Sequence, residues 1–284
     1  MYFDHAIRIL DTDFLRFRFG KFLVLVFQMG KYDFLTPENL RMDGRKPHEV
    51  RPLVFQSGGI VSGADGSASV SMGLTKAIAF VYGPRPSNKK QPMPGSGVSA
   101  ATVAVEYRTA TFSAVDRRRR SKGDRQSQER AFWLQKIFEY AILVEQYPKS
   151  QIEIIVEVVQ QDGSAVSAAI NAVTLALINA GIPIRDMVVS CTLGLMDSKT
   201  VLVDLNHGEG ENGAGSAQVI LATYPRSGKL CLCEVESKVP VSAFEEACRI
   251  ATASCAEIAQ TMRKHVMEHA DERLSFLQSL MLPK

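Results

Sequence analysis

The sequence predicts an α+β fold, and three observations support this class. Strand-like and helix-like segments follow one another without the strict strand–helix alternation of a parallel α/β fold. Hydrophobic residues make up 46% and charged residues 22% of the 284 residues, as in a globular domain with a substantial core. A run of small apolar residues at 164–180 predicts a helix that is buried on nearly all sides.

The first half of the chain predicts four strands, a loop and an amphipathic helix. The strands alternate or are rich in β-branched residues, and glycine turns separate the first three. A Pro/Gly/Lys-rich segment predicts a loop at 83–97. Apolar residues at helical spacing predict a helix at 126–147, with Phe132, Trp133, Ile137, Phe138 and Ile142 on its apolar stripe. The expected strands span 50–56, 67–72, 76–83 and 99–113.

The second half predicts five strands and two helices. The buried helix at 164–180 follows a strong strand, and Gly181 with Pro183 ends it. A long C-terminal helix is expected from about Val241. The expected strands span 151–161, 187–196, 200–205, 216–224 and 229–236.

Charge and cysteine content restrict the function classes. Residues 111–130 contain seven Lys or Arg against three Asp or Glu, whereas the whole chain carries only +3. One local basic patch predicts contact with a polyanion at one place. The five cysteines lack the spacing of a zinc site, so free thiols in a reducing compartment are expected, with no metal.

The first 28 residues do not resemble the rest of the chain. Their uncharged apolar core, 22–27, is too short to span a bilayer, and Asp4, Asp11 and Asp13 are unlike a transit peptide. We therefore expect residues 1–28 to be an N-terminal extension outside the fold and residues 29–284 to form one domain, without membrane contact.

Five sequence segments occur in the order and spacing seen in the RNase PH family, which the chain resembles from about residue 33 to 275. This resemblance implies a fold of paired βαβα halves related to the second domain of ribosomal protein S5. It also implies a ring of six such domains around an RNA channel, and active members cleave RNA from its 3′ end with inorganic phosphate. The segments are 40–53, 63–85, 147–163, 172–188 and 202–222.

Within the family, the segments are similar to those of a ring subunit of the eukaryotic exosome. That similarity implies other RNase PH-like subunits in a heterohexameric ring, S1/KH-type cap subunits, a hydrolytic 3′–5′ ribonuclease and single-stranded RNA as partners. It further implies roles in rRNA processing and mRNA decay, a location in nucleus, nucleolus and cytoplasm, and no cofactor.

The resemblance also allows the catalytic positions to be compared. Phosphorolysis needs a site that holds phosphate and an acidic group near the reacting bond. Active members place Gly-Thr-Arg at the start of the buried helix, where this chain has Ser164, Ala165 and Val166. Their catalytic Asp corresponds to Gln218. We therefore expect no catalytic residue, so that the chain would be a pseudo-enzyme, with Gly163 and Ser164 serving only as a helix cap.

Three further acidic residues lie near these positions. Glu209 and Glu211 lie in the glycine-rich segment 208–215 and could substitute for the missing Asp, but solvated turn charges are the expectation. Asp204 is expected to be a structural turn residue.

Basic residues are expected to contact RNA phosphates without reading sequence. The family's channel has an Arg pair before the first long helix; here Arg125 keeps the first position and Gln126 replaces the second. The predicted RNA-binding residues are Arg85, Arg117, Arg118, Arg119, Arg120 and Arg125.

Two alternatives remain open from the sequence. The chain could be an active phosphate-dependent 3′–5′ exoribonuclease, against which Val166 and Gln218 argue. It could also be a stand-alone RNA-binding module, which would need another way to cover its edge strands.

Overall fold

The computed structural model describes residues 35–36, 38–86, 101–115, 117, 124–196, 200–211 and 217–281. It has nine strands in two sheets together with four helices within these ranges, which confirms the α+β class. The expected extension 1–28 lies outside the described residues, so the domain boundary stays a prediction.

The first sheet contains five strands in the order β1-β2-β3-β5-β4. Neighbouring strands are antiparallel except β4 and β5, which run parallel and are connected through helix α1 (Arg125–Ala141). The strands are β1 (Leu53–Ser57), β2 (Gly66–Met72), β3 (Thr75–Pro86), β4 (Thr102–Thr109) and β5 (Ser150–Gln160).

The second sheet contains four antiparallel strands in the order β7-β6-β8-β9. Strands β7 and β9 are therefore its edges, and β6 is buried along its whole length. The strands are β6 (Val189–Met196), β7 (Thr200–Val203), β8 (Ala217–Tyr224) and β9 (Lys229–Val235).

Helix α2 (Ala165–Asn179) lies between the sheets, as its apolar sequence predicts. Residues 165–177 are all buried, and the helix packs against β2 and β3 on one side and β6 on the other. The approach to β2 is close, since a Cβ atom on Gly66 would lie 2.4 Å from the Ala176 carbonyl oxygen. A glycine at this position lets the helix sit directly on the strand.

Helix α1 differs from the sequence prediction in length and in its buried face. It ends at Ala141, because the Ile142 backbone is extended and bridges to Ile184, and a 3₁₀ turn (Val144–Gln146) follows. Its buried face is spaced at i, i+3, i+4 and i+7, whereas the side chain of Phe132 is 57% exposed. The buried residues are Leu134, Ile137, Phe138 and Ala141.

Two further helices complete the fold. The short helix α3 (His207–Glu211) follows β7, and α4 (Val241–Met281) packs against β6 and β8. Within the described ranges no helix has the length and apolar character needed to cross a bilayer. All five cysteines are free thiols, as predicted.

Candidate active site at the start of the buried helix

The turn that leads into α2 is built around Gly163. Its φ of +77° is a left-handed conformation, and a Cβ atom there would lie 2.2 Å from the Leu205 carbonyl oxygen. Only glycine fits both restrictions without a shift of the backbone. The turn is thereby held against the segment that follows β7.

Ser164 does not cap α2 through its side chain, which corrects the expectation from the sequence. Its backbone is left-handed with φ of +51°, and its Oγ donates a hydrogen bond to the Leu205 carbonyl oxygen at 3.2 Å. The first-turn N–H groups of a helix have no partner within the helix. Because the Ser164 side chain is directed elsewhere, these N–H groups are available to an anion.

A buried ion-pair network between Arg51 and Asp204 holds the turn at Asp162. The Arg51 Nη2 and Nε atoms each lie 2.8 Å from an Asp204 carboxylate oxygen, and Nη1 donates to the Asp162 carbonyl oxygen at 2.7 Å. Burial alone would raise the pKa of Asp204, but the hydrogen bonds and charge of Arg51 more than offset it and lower that pKa. Asp204 is thus structural, as expected.

Glu209 is also structural, but it is not the solvated turn charge that the sequence suggested. It is only 2% exposed and forms a salt bridge with the buried Arg41, whose Nε lies 2.8 Å from Glu209 Oε1. Its other oxygen accepts a hydrogen bond from the Asn206 N–H at 3.0 Å, while Asn206 Oδ1 accepts one from the Glu209 N–H at 2.9 Å. This reciprocal pair is a capping box for α3.

The Asn-x-x-Glu spacing was a signal that could have predicted helix α3. Both oxygens of Glu209 are occupied, so this residue cannot replace a missing catalytic carboxylate. The Glu211 side chain lies outside the described part of the structure.

A cleft of about 340 Å³ opens at the start of α2. Ser164, Ala165 and Val166 line it, together with Gln218 on β8. The two positions at which active family members are expected to carry Arg and Asp therefore face the same space. The positions compared in the sequence therefore line one cleft, and other elements also contribute groups to it.

Arg130 on α1 reaches the cleft from the opposite side, next to Gln126, Glu129 and Trp133. It is the one Arg or Lys among the described lining residues. Its guanidinium carbon lies 5.6 Å from the centroid of the buried Tyr107 ring, a cation–π contact that restricts its orientation. Trp133 was expected in the core, but it is half-buried and forms part of this wall.

Glu234 on β9 supplies a carboxyl group to the same cleft. It lies opposite Ile220 on β8, and Gln218 and Glu236 form the next cross-strand position on that face. Its Oε2 atom is buried and accepts no hydrogen bond from any described residue. Burial, followed by the charges of Glu236 and Glu129, raises the pKa of Glu234 to about 7, and Arg130 offsets part of this effect.

Sequence reasoning missed Arg130 and Glu234, although each carried a weak signal. Arg130 lies four residues after Gln126, on the helix face that was assigned to the RNA channel. Glu234 required knowledge that β9 pairs with β8, which brings it beside the position of Gln218. The pairing of β9 with β8 is a feature of the folded chain that local sequence patterns do not show.

The predicted RNA-binding arginines lie outside the lining of this cleft. Arg85 is on β3 rather than in a loop, because β3 continues past an irregularity near Gly83 and pairs with Gln151; its Nη2 lies 3.6 Å from Asp65 Oδ2. Arg125 is the exposed first residue of α1, next to Gln126 of the cleft. Arg117 is exposed, whereas Arg118, Arg119 and Arg120 lie outside the described residues. Their RNA contacts stay a prediction.

Comparison with known proteins agrees with this fold. Residues 49–183 match the family model described as the 3′ exoribonuclease family, domain 1, named RNase PH. A rice (Oryza sativa) Rrp46 crystal structure matches the fold with a TM-score of 0.70, at 24% identity over 80% of this chain and 100% of that one.

Relatives found by sequence have higher identity to this chain than the rice protein has. Exosome complex component RRP41 homolog of Arabidopsis thaliana is 43% identical over 241 residues, covering 84% of this chain and 97% of that protein. The chain therefore belongs to the RNase PH family, which confirms the resemblance seen in the sequence. It is also similar to an archaeal protein, exosome complex component Rrp41 of Methanopyrus kandleri, at 38% identity over 82% of this chain and 95% of the relative.

These relationships overturn the expectation that the chain is a pseudo-enzyme. The matched family is one of 3′ exoribonucleases, and the relatives include archaeal Rrp41 proteins of the phosphorolytic branch. The expectation was based on two side chains, Val166 and Gln218. It was wrong because two side chains, one on α2 and one on β8, do not by themselves define a cleft to which α1 and β9 also contribute charged groups.

Proposed function

We propose that this chain is a core-ring subunit of an RNA exosome whose cleft receives the 3′ end of single-stranded RNA and shortens it with inorganic phosphate. The observation that supports this most is the start of α2, which opens into the cleft without a side-chain cap. Backbone N–H groups and the positive end of a helix dipole favour an anion at such a place.

The size of the cleft agrees with a single-stranded substrate. A volume of about 340 Å³ is at the lower end of the range for small-molecule sites, enough for one terminal nucleotide or a phosphate group. We expect the substrate end to be unpaired, because a single strand can present one terminal nucleotide to such a cleft.

The proposed partners follow from the exosome relatives. They are other RNase PH-like subunits in a heterohexameric ring, S1/KH-type cap subunits and a hydrolytic 3′–5′ ribonuclease. Strands β7 and β9 are the edges of the second sheet, and a neighbouring subunit can pair along a sheet edge. The proposal includes rRNA processing and mRNA decay in nucleus, nucleolus and cytoplasm, which imaging of the tagged chain would test.

The experiment uses the tagged full chain, isolated from its own cells with its partners and also produced alone. Mass spectrometry identifies the co-purifying chains, and 5′-labelled single-stranded RNA is incubated with and without inorganic phosphate. We expect RNase PH-like partners and phosphate-dependent release of nucleoside diphosphates from the 3′ end. A stable monomer without ring partners would favour a stand-alone RNA-binding module instead. Absence of phosphate-dependent products from both preparations would overturn the catalytic part.

A further inference from the structure

Helix α1 and strand β9 supply a cation and a carboxyl group to the cleft, whereas the family pattern places these groups on α2 and β8. Val166 cannot bind an anion through its side chain, and Gln218 cannot release a proton. We propose that Arg130 and Glu234 take over these two tasks, Arg130 as the phosphate-binding cation and Glu234 as the proton donor. This inference rests on the phosphate-dependent cleavage proposed above.

The placement of Arg130 suits a phosphate group held at the start of α2. Gln126, Glu129, Arg130 and Trp133 share one face of α1 and line the cleft opposite Ser164 and Val166. An anion in the cleft therefore has helix N–H groups on one side and a guanidinium on the other. The planar fork of arginine can donate two hydrogen bonds to one phosphate, and the contact with Tyr107 limits the rotations that binding would otherwise have to restrict.

The placement of Glu234 suits an acid beside the reacting phosphate. It shares a face of the second sheet with Gln218, so its carboxyl group enters the space where the family's Asp is expected. The buried Oε2 atom, without a partner among the described residues, is a group whose hydrogen bond a substrate can supply.

Burial and the charged surroundings together keep a substantial fraction of this carboxyl protonated near neutral pH. Burial and the neighbouring Glu236 and Glu129 raise the pKa of Glu234 to about 7, against the opposing charge of Arg130. Among the described residues, the remaining titratable side chain that lines the cleft is that of His207. A general acid with a pKa near the working pH combines a protonated state with the ability to release its proton.

The reaction balances without another reagent. An oxygen of hydrogen phosphate attacks the last internucleotide phosphorus, and the bond from that phosphorus to the 3′ oxygen of the preceding nucleotide breaks. Glu234 gives its proton to the departing 3′ oxygen, which becomes the new 3′ hydroxyl. Glu234 then regains a proton from the hydroxyl group of the attacking phosphate, and a nucleoside diphosphate leaves.

The test compares matched variants of the full chain, each assembled with its ring partners. Arg130→Met keeps an unbranched apolar side chain but removes the charge, and Glu234→Gln keeps the shape but cannot donate the proton. Each should reduce nucleoside diphosphate release about 100-fold or more, whereas Arg130→Lys should retain part of the activity. Lys136→Met, exposed on the same helix, and Glu257→Gln, exposed on α4, serve as controls and should be unchanged.

Two further measurements separate the roles of the two residues. Arg130→Met should weaken binding of inorganic phosphate about 10-fold or more, while Glu234→Gln should alter it little. Wild-type activity should fall as the pH rises through about 7, the pKa of Glu234. The remaining activity of Glu234→Gln should not show this decrease. Thermal unfolding of each variant checks that the fold is retained.

The outcomes distinguish this inference from the proposed function. If the wild-type assembly releases nucleoside diphosphates and both variants stay within about threefold of it, the roles of Arg130 and Glu234 are refuted while phosphate-dependent cleavage stands. If the wild type releases none, the proposed function and this inference fail together. Loss of activity in the Lys136→Met or Glu257→Gln controls would show that the effects are not specific to the cleft.

Discussion

Substitution of Asp204 by Asn should destabilise the domain strongly, because it removes the charge that compensates a buried guanidinium. Both Asp204 carboxylate oxygens accept hydrogen bonds from Arg51 at 2.8 Å, and both side chains are almost fully buried. Asn is the suitable replacement, since Asp204 has φ of +54° and Asn tolerates this left-handed conformation better than most residues. The variant therefore tests charge rather than backbone strain.

The expected loss in the free energy of unfolding depends on which groups can still bind Arg51 in the variant. Breaking a buried ion pair by removing one partner costs about 3–5 kcal/mol. Asp162 still offers Arg51 a carboxylate oxygen at 3.3 Å, and the Asn carbonyl can accept one hydrogen bond. We therefore expect the lower end, about 3 kcal/mol, which corresponds to a decrease in Tm of roughly 5–10 °C for a domain of this size.

Urea and thermal unfolding at neutral pH measure this loss directly. Glu139→Gln is the matched control, because it breaks the exposed salt bridge between Glu139 and Lys136 and should change the free energy of unfolding by less than about 1 kcal/mol. The folded-state pKa of Asp204 is lowered, so its contribution is present above its ordinary value of 3.8 and disappears as the pH falls through the lower folded value. If Asp204→Asn is as stable as the control at neutral pH, the network is not the structural support inferred here.

Three further predictions concern other parts of the molecule. Gly163→Ala should lower the free energy of unfolding by about 2–4 kcal/mol in urea, because its Cβ would lie 2.2 Å from a carbonyl oxygen at a positive φ. Arg85→Glu with Arg125→Glu should leave Tm nearly unchanged but weaken single-stranded RNA binding, and lower its salt slope by about 0.7 per lost contact. Glu234→Gln should be more stable than the wild type at about pH 8 and equal to it near pH 4, since a raised pKa destabilises the folded state only where Glu234 must ionise.

Each of these predictions has its own control. Gly228→Ala has a comparable φ of +66° with nothing within 4 Å of the added Cβ, so a loss as large as that of Gly163→Ala would argue against the close contact as the cause. For the arginine variants, the control is Lys264→Glu, which reverses an exposed charge on α4. If this control weakens RNA binding as much as Arg85→Glu with Arg125→Glu, the contacts of Arg85 and Arg125 with RNA are non-specific. A wild type and Glu234→Gln with the same pH dependence of Tm would contradict the raised pKa.

Local sequence patterns predicted most of the elements but not the details of the site. The buried helix α2 was predictable because small apolar residues leave it no polar face, and the strands of both sheets were found within a few residues. The apolar stripe of α1 was misassigned at Phe132, since apolar residues lie on several faces of the helix and only the packing partner decides which face is buried. Ile142 is buried as expected, but it lies beyond the end of the helix in an extended bridge to Ile184.

Glu209 and Glu234 show more clearly what local sequence patterns cannot predict. Glu209 appeared to be a solvated turn charge because its partner, Arg41, lies 168 residues away in the chain. Local sequence patterns did not single out Glu234, because only the pairing of β9 with β8 brings it into the cleft. Comparing a family pattern position by position shows which catalytic side chains are missing. It does not show side chains that other helices or strands bring into the same cleft.

The position of α2 between the two sheets has a consequence for the dynamics of the cleft. The amides in the interior of this helix are covered by β2 and β3 on one side and β6 on the other, so solvent reaches them only when the sheets separate. Hydrogen exchange of these amides should therefore proceed through global unfolding, at the slowest rate in the domain. The end of α2 that faces the cleft is anchored in this buried segment, so an anion bound there would have to order little of the surrounding backbone.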